Sequence, residues 1–275
     1  MSTDRAASPT GAGLHHVELV MGMAVSIDVR DDVGSLGDGS GHLAINAVAA
    51  VVDWLHHVDA TFSTYKIESP ISRLGMGLAT LDEMPAEVIE VLALCEELRD
   101  DTNGAFDALV VPAPNGSLLD PSGVVKGWSI ERAAAILEAH GLRNFCINAG
   151  GDIAIRGEIR PGEPWRIGIR HPDLPDKSAA VLMGSGRLAV ATSATYERGA
   201  HIIDPATNEP TADLASVTIV GPDLTYADAY ATAVFVMGVD GLNWLVERHP
   251  DHAGFVITHD GTAISTPSFA AYRAA

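Results

Sequence analysis

The spacing of apolar residues predicts three helices in the first half of the chain. Apolar side chains recur every three or four positions there, which is the period of a helix that buries one face against a core. Asn103–Gly104 and His140–Gly141 follow the second and third of these stretches, and such pairs are typical of helix ends. The predicted helices cover Ala44–Val58, Ala86–Leu98 and Lys126–Ala139.

The rest of the chain consists mainly of short runs that predict strands. Leu14–Val29 alternates between apolar and polar residues and predicts a single strand, whereas Ser63–Thr80 is irregular. Further helices are predicted at Tyr226–Met237 and Leu242–Glu247, and a closing hairpin is predicted at Gly254–Ser265. The other predicted strands are Asn144–Asn148, Asp152–Arg156, Trp165–Arg170, Ala180–Met183, Leu188–Thr192, Ala200–Ile203 and Ala215–Val220. Because helices and strands mix without a regular βαβ alternation, the pattern predicts an α+β fold.

Composition and charge narrow the class of protein. The 275 residues suit one domain, predicted to span residues 14–275, after a polar segment, residues 1–13, that is expected to be disordered. The 17 Lys and Arg residues are scattered and stand against 36 Asp and Glu residues, a net charge of −19 that argues against nucleic-acid binding. No transmembrane segment, signal-peptide core or lipid-attachment cysteine is visible, so a cytoplasmic protein is expected. Cys95 and Cys146 are expected to be small buried residues.

Two segments have the composition of phosphate-binding turns. Gly150 and Gly151 lie between two predicted strands, where they can bring backbone close to a ligand or simply form a tight hairpin turn. Lys126 lies at a Gly-rich helix start, Asp120–Trp128, which suits a diphosphate but equally suits a capped helix with a solvated lysine. Neither segment has the spacing of a P-loop or of a dinucleotide-binding motif.

Two later segments carry a histidine and a pair of oxygen donors. His201 precedes a turn at Asp204–Pro205 and is either a buried core histidine or a positioned base. Asp228 and Thr232 are four residues apart on one helix face, so their oxygens can share a Mg²⁺ ion. Alternatively, Asp228 stabilises the helix start and Thr232 bonds back to a helix carbonyl.

Taken together and in order, these segments resemble the ApbE-like FAD:protein FMN transferases. The resemblance runs from about Met21 to Gly238 and includes a G-x-F-D turn, a D-x-x-G-x-x-K-G helix start and an A-D-A-x-A-T helix. The matching segments are Met21–Gly22, Phe62–Tyr65, Ser72–Leu74, Asn103–Asp107, Asp120–Gly127, Asn148–Asp152, Ala191–Ser193, His201–Pro205 and Ala227–Thr232.

The resemblance implies a two-lobed, T-fold-like α+β architecture with a flavin cleft between the lobes. It also implies Mg²⁺-dependent cleavage of FAD, with FMN attached through a phosphoester to a Ser or Thr hydroxyl of an acceptor flavoprotein and AMP released. By the same resemblance, the Val125 carbonyl, Asp228 and Thr232 hold the metal, and His201 deprotonates the attacking hydroxyl. The implied flavin and phosphate contacts are Met21, Tyr65, Ala105, Phe106, Asp107, Ser122, Lys126, Gly150 and Gly151.

Some positions depart from the family pattern, and two other functions stay open. Met23, Gly75, Ala194 and Asn208 replace the family's usual Thr, Asn, Gly and Gly in segments near the substrate. Hydrolysis of FAD to FMN and AMP is one alternative, with water in place of the acceptor hydroxyl. A protein that binds FAD without cleaving it is the other. No motif names the acceptor protein.

Overall fold

The structure, a computed structural model, describes residues 13–31, 40–109, 113–174, 176–195, 202–211 and 213–274. The segment expected to be disordered, residues 1–13, therefore lies outside the described residues except for Gly13.

Each of the five helices predicted from the apolar period is confirmed, and each is longer than predicted. A sixth, short helix lies in the segment that the sequence left irregular. Its start carries local signals: Pro70 occupies the first turn, and the side chain of Ser69 accepts a hydrogen bond from Ser72 N. The helices are α1 (Ser40–Phe62), α2 (Pro70–Gly75), α3 (Ala86–Asp101), α4 (Ser122–Ala139), α5 (Leu224–Met237) and α6 (Gly241–Arg248).

The single strand predicted over Leu14–Val29 is wrong, because the chain reverses at its centre. Met21 and Gly22 have φ values of 54° and 72°, which form a two-residue turn of the kind that suits a hairpin. Of the strand predicted over Ala200–Ile203, residues 200 and 201 lie outside the described residues. The strands are β1 (Leu14–Val20), β2 (Met23–Val29), β3 (Phe145–Ala149), β4 (Asp152–Arg156), β5 (Trp165–Arg170), β6 (Ser178–Gly184), β7 (Leu188–Ala194), β8 (Ile203–Asp204), β9 (Glu209–Pro210), β10 (Leu214–Gly221), β11 (Ala253–Thr258) and β12 (Ala263–Ser265).

Eight strands form one antiparallel sheet in the order β1-β2-β3-β4-β7-β10-β11-β12. Helices α1, α4 and α5 pack on one face of this sheet, and a two-stranded ribbon of β5 and β6 packs on the other. Alternate side chains of one strand accordingly enter different cores: Ala154 faces the helices, while Ile153 and Ile155 face the ribbon. The α+β fold class is confirmed, and the division into two lobes stays a prediction.

The register of the strands brings several turns to one end of the sheet. Val25 pairs with Ala149, so the turn before β2 lies beside the turn after β3. Asp152 starts β4 opposite Ala149. Strand β7 runs antiparallel to β4 and ends at this same end of the sheet. The Met21–Gly22 turn, the Gly150–Gly151 turn and the end of β7 therefore lie at the same end of the sheet.

The stretch Leu224–Arg248 is long and apolar enough to span a membrane by length and composition alone, but 56% of its most apolar window is buried inside the protein. Helices at the core of a folded domain meet the same criterion. Cys95 is buried as expected, whereas Cys146 is only partly buried. Loss of hydration raises the pKa of both thiols to about 12.

Candidate active site

Helices α4 and α5 touch at Gly127, and this contact builds the centre of the site. The backbone N–H of Gly127 donates a hydrogen bond to Asp228 Oδ2 over 2.9 Å. A Cβ atom at residue 127 would lie 2.4 Å from the carbonyl oxygen of Leu224 and 2.8 Å from Asp228 Cβ. Only glycine lets the two helices approach this closely.

Lys126 lies between two buried carboxylates. Its Nζ is 2.6 Å from Asp152 Oδ2 and 3.6 Å from Asp228 Oδ1. Asp152 is 1% exposed and Asp228 is 4% exposed, so their charges are poorly solvated and attract a cation strongly. The alternative of a solvated lysine at the start of α4 is therefore wrong, because Lys126 is a half-buried partner of both carboxylates.

The pKa of Asp228 is raised from its ordinary value of 3.8 to about 7. Burial is the main cause, because a carboxylate loses its hydration inside the protein. The ammonium of Lys126 opposes this shift, and the neighbouring charge of Asp152 adds to it. A second cation close to Asp228 would stabilise its charged form.

Two neighbouring strands position the remaining polar groups. Asp152 Oδ1 accepts a hydrogen bond from Thr192 N over 3.0 Å, which holds the carboxylate between β4 and β7. The hydroxyl of Thr232 lies one turn after Asp228 on α5, 3.5 Å from the hydroxyl of Ser193. Asp228, Thr232 and Ser193 thus present oxygens from α5 and β7 to one region.

The Gly150–Gly151 turn is a tight hairpin connection and also lines a cavity. Both glycines have positive φ, 61° and 103°, and Gly151 N donates to Asn148 Oδ1, so this N–H is already bonded within the turn. A cavity of ≈ 260 Å³ adjoins this turn, and a separate cavity of ≈ 360 Å³ lies in the groove between α3, α4 and α5. The smaller cavity is lined by Gly150, Gly151, Ile167, Gly168, Ile169, Arg170, Val190 and Thr192.

The residues expected to contact flavin occupy several separate places. Phe106 is buried, and its ring edge lies 3.1 Å from where a Cβ of Gly123 would be, so this segment packs on the start of α4. Ser122 is exposed at that helix start. Asp107 uses Oδ1 to accept a hydrogen bond from Leu109 N, next to the half-buried Ala105.

Met21 and Tyr65 belong to two other segments of the chain. Met21 is half-buried in the first hairpin turn, and the side chain of Met23 reaches the Gly150 turn: its Sδ is 3.4 Å from a Cβ position there. Tyr65 follows α1 and is 82% exposed, so its ring is available for stacking. His201 lies outside the described residues, and its role as a base stays a prediction.

Sequence reasoning did not assign Asp152 or Gly127 a role, although the signal for each was present. Asp152 directly follows the two glycines. A carboxylate at the start of a strand lies at the end of the sheet where the turns meet. Gly127 is a second glycine inside a helix start, and a helical glycine usually marks a close packing contact. Val125 is buried in the first turn of α4, next to Lys126, and the role of its carbonyl as a metal ligand stays a prediction.

A buried ion-pair network sets how α5 sits on α4. Glu131 of α4 accepts a hydrogen bond from Leu224 N over 3.1 Å, and its other oxygen pairs with Arg156 and Arg187. The N-terminus of α5 is thereby tied to α4 one turn away from Asp228. Because both contacts lie in the same pair of helices, the position of the Asp228 carboxylate is determined by the helix packing.

Replacing Lys126 with methionine should lower the melting temperature in EDTA and make it depend more strongly on Mg²⁺. The variant leaves Asp152 and Asp228 buried without their cation, which costs about 2–4 kcal/mol of stability. Thermal unfolding with and without MgCl₂ measures both effects. Lys66→Met is the matched control, because Lys66 pairs with Asp59 on the surface. A melting temperature of Lys126→Met equal to that of the control would contradict the ion-pair assignment.

The family comparison fits this geometry. The model of the ApbE family matches residues 21–117 and 111–257. The chain belongs to the ApbE family. The matched residues include the Met21 turn, α4, the Gly150–Gly151 turn and α5, so the site lies within the shared part of the family. The resemblance seen in the sequence is confirmed.

Curated relatives carry the name FAD:protein FMN transferase. One from Haemophilus influenzae is 26% identical over 278 residues, covering 80% of each chain. One from Vibrio cholerae is 36% identical over 129 residues, covering 44% of this chain and 39% of that protein. One from Rhodobacter capsulatus is 34% identical over 195 residues, covering 68% of this chain and 36% of that protein. The matched stretch is thus less than half the length of two of these relatives.

Solved structures share the fold. The flavin transferase ApbE from Vibrio cholerae superposes with a TM-score of 0.79 at 24% identity, covering 95% of this chain and 99% of that chain. The ApbE protein from Thermotoga maritima gives a TM-score of 0.80 at 22% identity, covering 96% of this chain and 100% of that chain. At these identities the likeness establishes the α+β fold.

Proposed function

We propose that this protein is a Mg²⁺-dependent FAD:protein FMN transferase. The observation that carries the proposal is the cluster of Lys126, Asp152 and Asp228 at the contact between α4 and α5. A binding protein needs no pair of buried carboxylates, since their desolvation destabilises the fold. Relatives that match 44% and 80% of this chain are named for the same transfer.

The residues present fit a magnesium ion. The Asp228 carboxylate, the Thr232 hydroxyl and the Val125 carbonyl are hard oxygen donors, which Mg²⁺ prefers. Among the described residues no group of three or more His, Cys, Asp and Glu side chains could hold a metal, so the proposed set depends on hydroxyl and carbonyl oxygens. A bound Mg²⁺ would neutralise diphosphate charge and polarise phosphorus.

The transfer is a displacement at the phosphorus of the FMN half of FAD. The acceptor hydroxyl oxygen forms a bond to that phosphorus, and the bond from the phosphorus to the AMP phosphate oxygen breaks. The hydroxyl proton passes to a ring nitrogen of His201, for which a group titrating near neutrality is suited. AMP leaves with the electron pair of the broken bond, and Lys126 stabilises its developing negative charge.

The remaining residues of the set orient FAD. The Gly150–Gly151 turn and the N-terminus of α4, at Ser122, bring backbone close to the phosphates. Tyr65 offers an exposed ring for the isoalloxazine, and Met21, Ala105, Phe106 and Asp107 shape the surroundings of the flavin.

Intact-mass spectrometry tests the proposal with purified protein, FAD and Mg²⁺, with and without a candidate acceptor flavoprotein. An FMN adduct on the acceptor, with an equal amount of AMP, is expected. FMN and AMP without an adduct on any acceptor would indicate a hydrolase instead. FAD that stays intact with Mg²⁺ and acceptor would indicate a protein that only binds FAD.

Replacing His201 with alanine should lower the transfer rate at least about 100-fold and leave FAD affinity within about twofold, because the change removes a base and no FAD contact. FAD affinity is measured by flavin fluorescence and transfer by the mass of the acceptor. His171→Ala is the control, since His171 lies in the loop after β5. Transfer by His201→Ala at the wild-type rate would remove His201 from the mechanism.

A further inference from the structure

The β5–β6 ribbon has one backbone edge that the rest of the described chain does not cover. On the β6 side, the backbones of Val181 and Met183 hydrogen-bond to the C-terminal segment, residues 272–274, over 2.8 and 2.7 Å. Successive residues of an antiparallel strand point their N–H and C=O groups to opposite sides. Leu182, between them, therefore faces β5, where its partner is Ile167.

The same alternation sets the direction of the β5 backbone. Ile167 faces β6, so Arg166 and Gly168 direct their N–H and C=O groups to the outer edge of the ribbon. Within the described ranges, neither residue has a backbone hydrogen-bond partner on that side. Both are exposed. An uncovered edge of this kind can accept a further strand from another chain.

This edge runs beside a cavity that reaches the Gly150–Gly151 turn. Gly168 and its neighbours in β5 line the ≈ 260 Å³ cavity together with Gly150, Gly151 and Thr192. Thr192 holds Asp152, which in turn holds Lys126. The cavity lies on the ribbon face of the sheet, and Lys126 lies on the helix face, so the two meet only at the sheet end beside the Gly150–Gly151 turn. A strand added to β5 would therefore pass along the cavity toward this turn.

The charge at this edge differs from that of the whole protein. Arg166 is exposed, and none of the ion pairs between described residues involves it. Among the described residues, its side chain donates a hydrogen bond to the sulfur of Met183 over 3.7 Å. In a chain with a net charge of −19, this arginine is complementary to an acidic side chain on a partner.

We propose that the acceptor protein docks its modification segment in extended form, as an additional strand on the free edge of β5. The proposal rests on the proposed transfer to a protein hydroxyl. Main-chain hydrogen bonds to Arg166 and Gly168 supply affinity for any extended sequence, and alternate side chains then turn toward the cavity. The Ser or Thr enters the cavity, and an acidic residue of the segment pairs with Arg166.

The test uses two pools of 12-residue peptides, each with one central Thr. One pool has Asp at the flanking positions and the other has Lys there, and the remaining positions are random. Wild-type protein, FAD and Mg²⁺ are incubated with each pool, and FMN adducts are counted by mass spectrometry. We expect the Asp pool to be modified in preference. Arg166→Pro removes the edge N–H at a position where an edge strand tolerates proline, and Arg166→Ala removes only the side chain.

Arg166→Ala should raise the KM for modified peptides about threefold and Arg166→Pro at least about tenfold, because the proline also removes a backbone donor. Both variants should keep the wild-type KM for FAD and a melting temperature within about 3 °C of wild type, which shows that they are folded. When the backbone nitrogens of the best peptide are methylated one at a time, transfer should be blocked only by methylation at every second residue.

Equal KM values for the two variants and wild type would overturn the docking mode, as would N-methylation effects without a two-residue period. Modification of a folded acceptor domain but of neither pool would also overturn it, while leaving the transferase function in place. FAD left intact by wild type with every acceptor would contradict the transferase function itself.

Discussion

Replacing Asp228 with asparagine is expected to abolish Mg²⁺-dependent FAD cleavage while making the metal-free protein more stable. The loss of activity should exceed about 100-fold, because asparagine removes the charge of the only carboxylate in the proposed metal set. Asparagine can still accept the hydrogen bond from Gly127 N, so the helix contact is preserved.

The gain in stability follows from the raised pKa of Asp228, about 7 in the folded protein against an ordinary 3.8. A raised pKa means that the fold favours the protonated form, so the folded wild type loses stability as the pH rises from about 4 to about 7. The variant has no such loss. In EDTA at pH 8 its melting temperature should exceed that of wild type by at least about 3 °C, and the difference should vanish near pH 4.

Thermal unfolding in EDTA across this pH range, together with AMP release in Mg²⁺, measures both parts of the prediction. Asp240→Asn is the matched control, since Asp240 is exposed and follows the same helix. Mg²⁺-dependent turnover by Asp228→Asn at the wild-type rate would remove Asp228 from the metal set. The melting temperature of the variant minus that of wild type should be larger at pH 8 than at pH 4. A smaller difference at pH 8 would contradict the assigned effect of burial.

Replacing Gly127 with alanine should have the second-largest effect and should disturb stability and metal binding together. The added methyl would lie 2.4 Å from the Leu224 carbonyl, an atom of the helix backbone that cannot rotate away. Helix α5 must therefore shift, at a cost of about 1–3 kcal/mol. The shift also lengthens the Gly127–Asp228 hydrogen bond, so Mg²⁺-dependent turnover should fall at least about tenfold.

The control is Gly123→Ala, one turn earlier on α4. Its added methyl would meet the ring edge of Phe106 at 3.1 Å, where a side chain can adjust, and alanine favours the helix. We expect the melting temperature of Gly123→Ala to stay within about 2 °C of wild type and that of Gly127→Ala to fall by several degrees. The helix-contact argument would fail if the two variants melted at the same temperature.

Local pattern predicted most of the secondary structure, and its failures have local causes. The helices on Ala44–Val58 and Lys126–Ala139 were found because one buried face imposes a period on the sequence. The hairpin within Leu14–Val29 was missed because Met21 is an unusual residue at positive φ, so no turn-forming pair interrupts the alternation. Helix α2 was missed because six residues are too few to show a period.

The sequence by itself determined the family and the types of residue on which the proposed chemistry depends. The order of the motifs, from Met21–Gly22 to Asp228 and Thr232, identified the ApbE family without any coordinate. The side chains that fit a diphosphate and a magnesium ion can be identified in the sequence, because their chemistry depends on the residue type. His201 belongs to this class, and its role awaits the variant described above.

Only the tertiary structure decided which of these groups meet. Gly127 and Asp228 are 101 residues apart in the chain, and their contact depends on the packing of α4 on α5. The placement of Asp152 beside Lys126 depends on strand register, and the free edge of β5 depends on which side of the ribbon the C-terminal segment covers. The periodicity of apolar residues indicates whether a residue is buried. It does not indicate which residues it packs against, because those contacts form between elements distant in sequence.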